Sequence, residues 1–571
     1  MPRICRVAPD VTAVERVFDY VVPDALAPLV RVGAIVRVPL HGRRVRGWVV
    51  ADSVTPDTDE RLLDVLAVAS HGPPADVVAL ADWIAWRWRG PRIAVLRSAS
   101  PPNRVAPQVE PASLSTAIRA SATPVRSVVV RRPPLADRRE LVASMCADGG
   151  STIVAVADGS RARSLAQFLR RAGRAVAFVH SDESDVARTV AWRRAAQGNC
   201  VVVGGRSAAL SPVPDLAAAI VVDDADEALQ EERSPTWHAR EVLYERAARA
   251  GALWSVVSPA PTVEALAIVG VQLDVLPADV EARGWPRTLV VDRREEPPGA
   301  GLLTEALAET LRGADGPVVC VLNRRGRFRV LACDACHALL RWDRAADRPM
   351  LCDECGATRL RVLRAGVTRV REELAVLFPR LRVLDVDAAT EQIGDADILI
   401  GTEAVLHRPE IRRRRPALAA FLDFDQELLA PRYRAVAQAH WLATRGAQLL
   451  AGRPREQTRL VIQTRQPDHE VVRALVRGRP ALVAEAELER RRSLGFPPFG
   501  ALAELTGDEP AVLASVDALR GFDAIQVLGP TDGRALVVAP NADALADALA
   551  IGHAAGRVIG RVRTVVDPPR V

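Results

Sequence analysis

The sequence predicts an α/β protein built from two lobes, each a mostly parallel sheet covered by helices. Three observations predict this class. Short apolar runs alternate with helical patterns from about 125 to 478, which is typical of parallel sheets. Four cysteines form a paired set within the second series of strands. A β-rich segment precedes the two lobes, and an α+β segment follows them.

The N-terminal part, 1–105, is expected to form a domain of its own. Most of it shows short alternating strands and turn signals, and "ADVVALADWIAWRW" then has the apolar spacing of a helix. The stretch 106–124 is rich in Pro, Ser and Ala and is therefore expected to be a linker.

The first lobe is predicted over 125–290 and the second over 291–478. The first takes its strands from the apolar runs "VRSVVV", "TIVAVAD", "AVAFVH", "CVVVGG", "AAAIVVDD" and "ALWSVVS". The second takes them from "GPVVCVLN", "RLRVLDVDA", "ADILIGT", "LAAFLDFD" and "TRLVIQT". The remainder, 479–571, is expected to be an α+β domain.

Length and composition limit the class of protein. The chain has 571 residues, of which 49% are hydrophobic, and this is ample for several packed cores. No run approaches the roughly 20 apolar residues of a membrane span. The first residues lack the apolar centre of a secretory signal. We therefore expect a cytoplasmic protein with no membrane partner.

The basic residues are unusual in kind. All 76 of them are Arg, and the net charge is only +6. A genome that favours Arg codons explains most of this bias, but the chemical consequence holds whatever the cause. No position can supply the lysine ammonium of a P-loop, and the planar guanidinium of Arg differs from it in size and geometry.

The junction Val128–Glu140, "VVVRRPPLADRRE", ends a predicted strand and begins a predicted helix. In nucleotide-hydrolysing domains such a junction carries a Gly-rich loop that ends in Lys and Ser or Thr. This junction has no Gly, and Pro133 and Pro134 each lack a backbone N–H. The sequence therefore predicts that no phosphate loop forms here and that ATP is not a cofactor.

Two pairs of cysteines have the spacing of a zinc site. Cys333 and Cys336 are followed by Cys352 and Cys355, in the pattern C-x₂-C-x₁₅-C-x₂-C. Each C-x₂-C turn places two thiolates near one point, and two turns complete a tetrahedral set. We expect one structural Zn²⁺ per chain in an insertion over about 330–358. The alternative is that these are reduced free thiols.

A second cluster is purely basic. Five arginines fall between positions 31 and 46 with no acidic residue among them; they are Arg31, Arg37, Arg43, Arg44 and Arg46. Such a patch would bind phosphates in a strongly salt-dependent way. The alternative is a solvated strand face.

The chain resembles the primosomal replication-restart helicases, the primosomal protein N′ or PriA family. The stretches that carry the resemblance occur in the family's order and are "VFDYVVP", "HSDES", "VVVGGRSAAL", "SPTWHAREVLYERA", "LNRRG", "ILIGT", "IQTRQPDHEVV" and "RRSLGFPPFGALAEL". The resemblance implies RecA-like, helicase-type lobes with a zinc-ribbon insertion. It also implies that the N-terminal domain grips the 3′ end of a nascent DNA strand.

Within that N-terminal domain, the resemblance implies that Phe18, Asp19 and Tyr20 help to form the pocket for the terminal nucleotide. A base would stack on Phe18 or Tyr20, and Asp19 would accept a hydrogen bond from the 3′-hydroxyl. A core position for Phe18 is the competing interpretation.

The chain also departs from the family at each nucleotide motif. The Walker A loop is replaced by Val128–Glu140, and the Walker B cluster Asp-Glu-Glu-His is replaced by Asp223, Asp224, Ala225 and Asp226. The arginine-finger segment reads "RGAQLLAGRPRE". The resemblance further implies that the winged-helix domain has shrunk to the linker and that four of the family's eight zinc cysteines remain.

These observations favour one hypothesis and leave two open. The favoured one is a DNA-binding replication-restart (primosome) protein that recognises abandoned or stalled forks and helps to reload the replicative helicase without hydrolysing ATP. It assigns no catalytic residue and treats Asp223 and Asp224 as a degenerate nucleotide site. Its partners would be forked or junction DNA, primosome and helicase-loading proteins, and single-stranded-DNA-binding protein. The alternatives are an active 3′→5′ helicase with a rebuilt site and a zinc-ribbon interaction scaffold.

Overall fold

The computed structural model describes residues 2–11, 16–58, 61–106, 125–297, 301–323, 328–333, 335–336, 338–343, 351–352, 354–357, 360–362, 367–387 and 389–570. It confirms the predicted fold class, a mixed α/β chain with two parallel sheets and a β-rich N-terminal domain. The predicted linker, 106–124, lies outside the described residues except for its first position. No helix in the described ranges is both long enough and apolar enough to cross a membrane.

Contacts between Cα atoms group the chain into two compact units. The first unit comprises Met1–Val130, Arg138–Asp274 and Leu488–Val571, and the second comprises Arg131–Asp137 and Val275–Glu487. The finer division expected from the sequence, into five parts, remains a prediction.

The first unit begins with a five-stranded antiparallel sheet and two helices. These elements are β1 (Ile4–Pro9), β2 (Phe18–Val21), β3 (Ile35–Leu40), β4 (Arg43–Asp52), β5 (Ala67–Ser70), α1 (Ala75–Arg87) and α2 (Arg92–Ala99). The strand order is β2-β1-β4-β3-β5. His41 and Gly42 connect β3 to β4 with φ values of 48° and 74°, the left-handed conformations that a two-residue hairpin requires.

The two faces of this sheet bury different residues. Cys5, Val7 and Tyr20 lie in a small apolar core on one face. Ala8 and Trp48 lie on the other face, in the core that also contains the buried residues of α1 and α2. Because side chains alternate along a strand, this division decides which side chains of β1 and β2 share a face.

The first unit continues with a seven-stranded sheet. Its elements are β6 (Ser127–Arg131), α3 (Arg139–Met145), β7 (Ser151–Val156), α4 (Gly159–Arg171), β8 (Val176–Val179), α5 (Asp185–Ala196), β9 (Val201–Gly204), β10 (Leu216–Val222), α6 (Ala239–Ala250), β11 (Leu253–Ser258), α7 (Val263–Leu266) and β12 (Gln272–Val275). The strand order is β12-β6-β11-β10-β7-β9-β8. The central strands pair in parallel and are buried, as expected for a sheet covered by helices.

The second unit contains a six-stranded sheet in which every pairing is parallel. Its first elements are α8 (Ala278–Arg283), β13 (Arg287–Asp292), α9 (Glu305–Arg312) and β14 (Val318–Val321). A three-stranded antiparallel sheet follows, with β15 (Phe328–Cys333), β16 (Leu339–Asp343) and β17 (Leu360–Val362).

The six-stranded sheet is completed by the elements after this insertion. They are α10 (Val367–Leu377), β18 (Val383–Val386), β19 (Ile398–Gly401), α11 (Pro409–Arg413), β20 (Leu418–Phe421), α12 (Asp425–Leu428), α13 (Ala435–Leu449), β21 (Arg459–Thr464) and α14 (Glu470–Arg477). The strand order is β13-β21-β20-β14-β19-β18.

The chain ends in an α+β part that belongs to the first unit from Leu488 onward. Its elements are α15 (Ala481–Leu494), β22 (Ala501–Gly507), α16 (Glu509–Leu519), β23 (Gln526–Thr531), β24 (Arg534–Ala539), α17 (Ala542–Ile559) and β25 (Val562–Val566). The four strands form an antiparallel sheet in the order β23-β24-β22-β25.

Candidate nucleic-acid interface, metal centre and degenerate nucleotide site

The junction between β6 and α3 is packed against its own chain. The N–H of Leu135 donates to the carbonyl oxygen of Gly284 at 3.2 Å, and the Leu135 side chain packs on the apolar cluster around Trp285. A Cβ on Gly284 would lie 2.2 Å from Cγ of Pro133, so this close approach requires glycine. The junction is therefore used for packing, and it does not form a ring of N–H groups turned toward one point.

An ion pair holds the start of the same junction. The guanidinium of Arg131 donates to the two carboxylate oxygens of Glu281 at 2.5 and 3.0 Å. Both side chains are nearly buried, at 11% and 4% exposure. The Arg131 guanidinium is thus bound to the Glu281 carboxylate, and it does not extend toward a phosphate.

Asp223 follows β10, where a nucleotide-hydrolysing domain would hold Mg²⁺. Arg138 donates to its two carboxylate oxygens at 2.5 and 3.0 Å, and Arg161 donates to one of them at 2.9 Å. The three side chains are only 10%, 4% and 13% exposed in the order Arg138, Asp223 and Arg161. A metal ion could reach Asp223 only by displacing these guanidinium groups. We call Arg138, Asp223 and Arg161 the arginine clamp.

The neighbouring acids also serve the fold. Asp224 is fully buried and accepts hydrogen bonds from the backbone N–H and the hydroxyl of Thr262. Burial raises the pKa of the Asp224 carboxyl to about 6, an effect that the Arg240 guanidinium partly offsets. Asp226 accepts a hydrogen bond from the N–H of Ala228 at 3.1 Å and so caps a short 3₁₀ turn. Each of the three acids therefore has a partner within the chain.

Two of the three arginines in the finger segment, Arg453 and Arg455, donate to backbone carbonyl groups. Arg453 donates to the carbonyl oxygens of Arg415 and Asp315, at 2.5 and 3.2 Å. Arg455 donates to the carbonyl oxygen of Trp285 at 2.9 Å. These bonds tie together loops of the second unit, and they leave both guanidinium groups with a structural role.

The four paired cysteines meet at one point. Their Sγ atoms all lie within 4.8 Å of one another, and the separations from Cys333 to Cys355 and from Cys336 to Cys352 are both 3.5 Å. Four sulfurs at about 2.3 Å from a tetrahedral zinc would be about 3.8 Å apart, so the cluster fits this ion. The backbone N–H of Cys336 lowers the pKa of the Cys333 thiol to about 7, whereas at Cys355 the backbone N–H of Ala357 is outweighed by the neighbouring cysteines, which raise the pKa of that thiol to about 12. Without a metal the cluster therefore favours one thiolate, at Cys333.

The other four cysteines lie apart from this cluster. Cys5, Cys146, Cys200 and Cys320 are all buried in apolar cores. Burial raises the pKa of Cys320 to about 12, so this thiol stays protonated and is not a fifth ligand.

Asp19 lies on β2 opposite Arg6 of β1. Arg6 donates to its two oxygens at 2.8 and 3.1 Å, and the N–H of Asp57 donates to one of them at 3.1 Å. The Arg6 guanidinium lowers the pKa of the Asp19 carboxyl below its ordinary value. A carboxylate offers about four lone-pair positions, so about one remains for a further donor, on a side chain that is 6% exposed.

The two aromatic residues beside Asp19 point to the opposite face of the sheet. Tyr20 is only 4% exposed, and its hydroxyl donates to the carbonyl oxygen of Pro39 at 3.0 Å. Phe18 is partly buried against the same apolar core. Of the two rings that were expected to stack on a base, Tyr20 is therefore enclosed in the core, and Phe18 alone keeps part of its surface open.

The hairpin of β3 and β4 presents the basic cluster. Arg37, Arg43 and Arg44 are exposed, and none of them forms an ion pair with any residue in the described ranges. Arg46 lies opposite Arg37, contacts Asp10 at 3.9 Å and stacks on Trp48. The three exposed guanidinium groups can bind phosphate without first breaking an internal ion pair. We call Arg37, Arg43 and Arg44 the arginine hairpin.

The strand register places Asp19 and part of the arginine hairpin on one face. Asp19 pairs with Arg6, and alternation along β1 and β4 brings Ala8, Trp48 and Arg44 to the same side. The spacing of strands and residues puts Arg44 roughly 20 Å from Asp19. At about 3.4 Å per nucleotide, this distance corresponds to about six nucleotides of one strand.

Sequence reasoning missed the residues that occupy the degenerate site. Arg138 lies inside the junction that the sequence singled out, but its partner is 85 positions away along the chain. Nothing in the sequence indicated that Arg6 is the partner of Asp19. The available signal for the Arg138–Asp223 pair was the combination of an acid directly after a buried strand with arginines in a junction where a lysine is usual.

The chain is similar to known proteins over most of its length. A family model described as 3′DNA-binding domain (3′BD) matches residues 6–101. The chain is 30% identical over 592 residues to the probable replication restart protein PriA of Mycobacterium bovis, covering 91% of this chain and 89% of that protein. It is 28% identical over 400 residues to the replication restart protein PriA of Bacillus subtilis, covering 62% of this chain and 49% of that protein.

Solved structures are similar at a lower level. RecG bound to a three-way DNA junction has a TM-score of 0.36 and 15% identity, covering 66% of this chain and 48% of that chain. A similarity of this extent does not bear on function.

We predict one Zn²⁺ per chain by metal analysis. Cys352→Ser should release it and unfold the insertion locally, because binding to such sites contributes about 10–16 kcal/mol of folding free energy. Cys146→Ala, which changes a buried cysteine outside the cluster, should keep the zinc. Two zinc ions per chain, or zinc loss in the Cys146 variant, would contradict the assignment.

We predict that Asp223→Ala lowers the free energy of unfolding by about 3–5 kcal/mol, because it removes the carboxylate shared by two nearly buried guanidinium groups, of which Arg161 keeps the more distant Asp158, at 3.9 Å. Chemical denaturation measures this free energy, and hydrogen exchange measures the local stability of β10. The control is Asp148→Ala. The Asp148 side chain is 96% exposed and pairs with Arg174 at the surface, so its removal should cost less than about 1 kcal/mol. If Asp223→Ala is neutral or stabilising, as for a metal ligand freed from repulsion, the structural role of the clamp is wrong.

Proposed function

We propose that this chain, which belongs to the PriA family of replication restart proteins, binds branched DNA at stalled or abandoned replication forks and does not hydrolyse ATP. The observation that carries the proposal is the arginine clamp, in which guanidinium groups of the chain itself bind the Asp223 carboxylate where a metal ion would otherwise bind. On this proposal the two parallel-sheet lobes act as a scaffold.

DNA binding is supported by the N-terminal domain. The matched family model covers Phe18, Asp19 and the whole arginine hairpin. The hairpin offers three exposed cations on two adjacent strands, and contacts of this kind give affinity without reading the base sequence. We therefore assign to it the phosphates of a strand or duplex near the 3′ end.

Recognition of the 3′ end is assigned to Asp19 and Phe18. Arg6 holds the Asp19 carboxylate in one orientation and keeps it ionised, so its remaining lone pair can accept the 3′-hydroxyl. A phosphate in place of that hydroxyl would bring negative charge against the carboxylate and be excluded. Phe18 lies on the opposite face of the sheet, but β2 is an edge strand. A terminal base that lies across this edge would contact the open part of the Phe18 ring.

The proposal that the chain does not hydrolyse ATP is supported by charge and geometry. Phosphoryl transfer needs a set of N–H groups and cations around the γ-phosphate, a Mg²⁺ ion held by carboxylates, and an inserted arginine. Here the junction is packed around Pro133 and Leu135, Asp223 is bound by two arginines, and Arg453 and Arg455 donate to carbonyl groups. Each part that the reaction needs has another partner.

The wider role is proposed from family membership. A restart protein that binds forks without consuming ATP would mark the site at which primosome and helicase-loading proteins assemble. Single-stranded-DNA-binding protein, which covers the exposed strand, is a further proposed partner. The cysteine cluster, with one Zn²⁺, would stabilise the insertion as a rigid surface for such contacts.

We predict tighter binding to a fork with a free 3′ end at the branch than to the same fork with a 3′-phosphate. Asp19→Ala should abolish this preference, since it removes the acceptor of the 3′-hydroxyl. The matched control is Asp57→Ala, which removes the other carboxylate near Arg6 and keeps the backbone N–H that binds Asp19. Fluorescence anisotropy with labelled forks gives both affinities.

Equal affinity of the unmodified protein for free and blocked ends would refute the 3′-end assignment. Loss of the preference in the Asp57 variant as well would assign the effect to disturbance of Arg6.

We predict that Arg43→Ala and Arg44→Ala weaken binding to free and blocked forks alike. Each should lower the slope of log affinity against log salt concentration by about one, because each removes one phosphate contact. Arg170→Ala, on the exposed side of α4, is the control for net charge. An unchanged salt slope in both hairpin variants would show that the arginine hairpin faces solvent in the complex.

We predict no DNA-stimulated ATP hydrolysis above the background of a mock preparation. A coupled phosphate-release assay with forked DNA tests this. Turnover in the usual enzyme range of about 1–10³ s⁻¹, lost in Asp223→Asn and retained in Asp148→Asn, would show that the nucleotide site was rebuilt.

A further inference from the structure

A cavity of about 390 Å³ lies within the N-terminal part of the first unit. Its wall is formed by β1, by the residue Arg16, by the last turns of α1 and by the start of α2. The lining residues are Ala8, Arg16, Asp82, Ala85, Trp86, Arg89, Gly90, Pro91, Arg92 and Ile93. Its volume falls in the range of pockets that hold small organic ligands. Neither the 3′-end assignment nor the arginine hairpin uses any of these residues.

The lining carries an excess of positive charge. Three arginines and one acid face the cavity, and Arg92 pairs with that acid, Asp82, at 2.9 Å. Arg16 is exposed and forms no ion pair with any residue in the described ranges. Arg89 has a partner of its own, so Arg16 is the cation that the lining offers to an anionic ligand.

One wall of the cavity is aromatic. Trp86 is half-buried, and its indole N–H donates to the carboxylate of Asp547 at 2.9 Å. This bond fixes the ring from its edge. A ring that is held at its edge and lines a cavity can offer a face to a planar group. Positive charge beside such an aromatic face is the combination that binds single-stranded nucleotides.

The cavity adjoins the proposed 3′-end site. Arg6, which holds Asp19, and Ala8, which lines the cavity, are two residues apart on β1 and point to the same face. They are separated by about 7 Å along the strand. Arg16 lies two residues before Phe18. A DNA strand that ends at Asp19 would thus pass the cavity after about two nucleotides.

We propose that this cavity binds the nucleotide second or third from the 3′ end, with its base on Trp86 and its phosphate at Arg16. The inference rests on the proposed 3′-end function and deepens it. It gives the N-terminal domain a subsite that requires a few unpaired nucleotides next to the terminus. An acidic peptide segment is the other ligand that this charge would admit, and the experiment below separates the two.

The test is photo-crosslinking of the full chain to forks that carry one 5-iododeoxyuridine, placed in turn at positions 1 to 6 from the 3′ end. We expect the Trp86 peptide to be labelled most strongly from position 2 or 3. Trp86→Ala should lower fork affinity at least about fivefold, and Trp86→Phe should restore most of it. Arg16→Ala should weaken binding, whereas Arg170→Ala, which changes an exposed arginine outside the cavity lining, should not.

The outcomes separate this inference from the proposed function. A preference for free 3′ ends without any label on the Trp86 peptide would overturn the cavity inference and leave the 3′-end assignment intact. Labelling of Trp86 from all positions, with no preference for free ends, would overturn the 3′-end assignment and the stated position of the nucleotide. Displacement of an acidic peptide from the cavity, with no labelling by DNA, would assign the site to a protein partner.

Discussion

The pairing of Asp223 with Arg138 and Arg161 is the interaction on which the account of this molecule depends. A buried carboxylate at the end of a central strand needs a cation, since an unpaired charge there is costly. In a nucleotide-hydrolysing domain Mg²⁺ and a lysine serve the nucleotide at this place. Here two guanidinium groups at 2.5–3.0 Å satisfy the carboxylate within the folded chain. The fold is therefore complete at this position without a nucleotide.

The other departures from the family's nucleotide motifs are consistent with this pairing. Asp224 accepts a hydrogen bond from Thr262 and Asp226 caps a turn, so both acids have hydrogen-bond partners within the chain. The junction that would surround phosphates packs Leu135 into an apolar cluster of the second unit. Away from this site the chain retains features that suit DNA binding, with exposed arginines on the hairpin and a held carboxylate at Asp19. The chain thus retains residues that suit DNA binding, whereas the residues at the nucleotide position are bound to one another.

Much of the fold could be predicted from the sequence, because it depends on local patterns. Apolar runs separated by helical spacing specify parallel sheets, and C-x₂-C pairs bring their sulfurs together through short turns. The arginine clamp could not be predicted, since its members are 62 and 85 positions apart and meet only when the sheet has formed. Tyr20 was also undecidable: a strand of four residues is too short for its alternation to show which face meets a core.

Equilibrium binding of nucleotide tests the central claim most directly, because it does not depend on turnover. A non-hydrolysable ATP analogue with Mg²⁺ would be titrated calorimetrically into the full chain, with and without forked DNA. If the arginine clamp and the packed junction occupy the site, no binding should be seen at millimolar nucleotide in either case. Saturable binding well below millimolar, lost in Asp223→Asn, would show that the clamp opens to admit the nucleotide and would contradict the account.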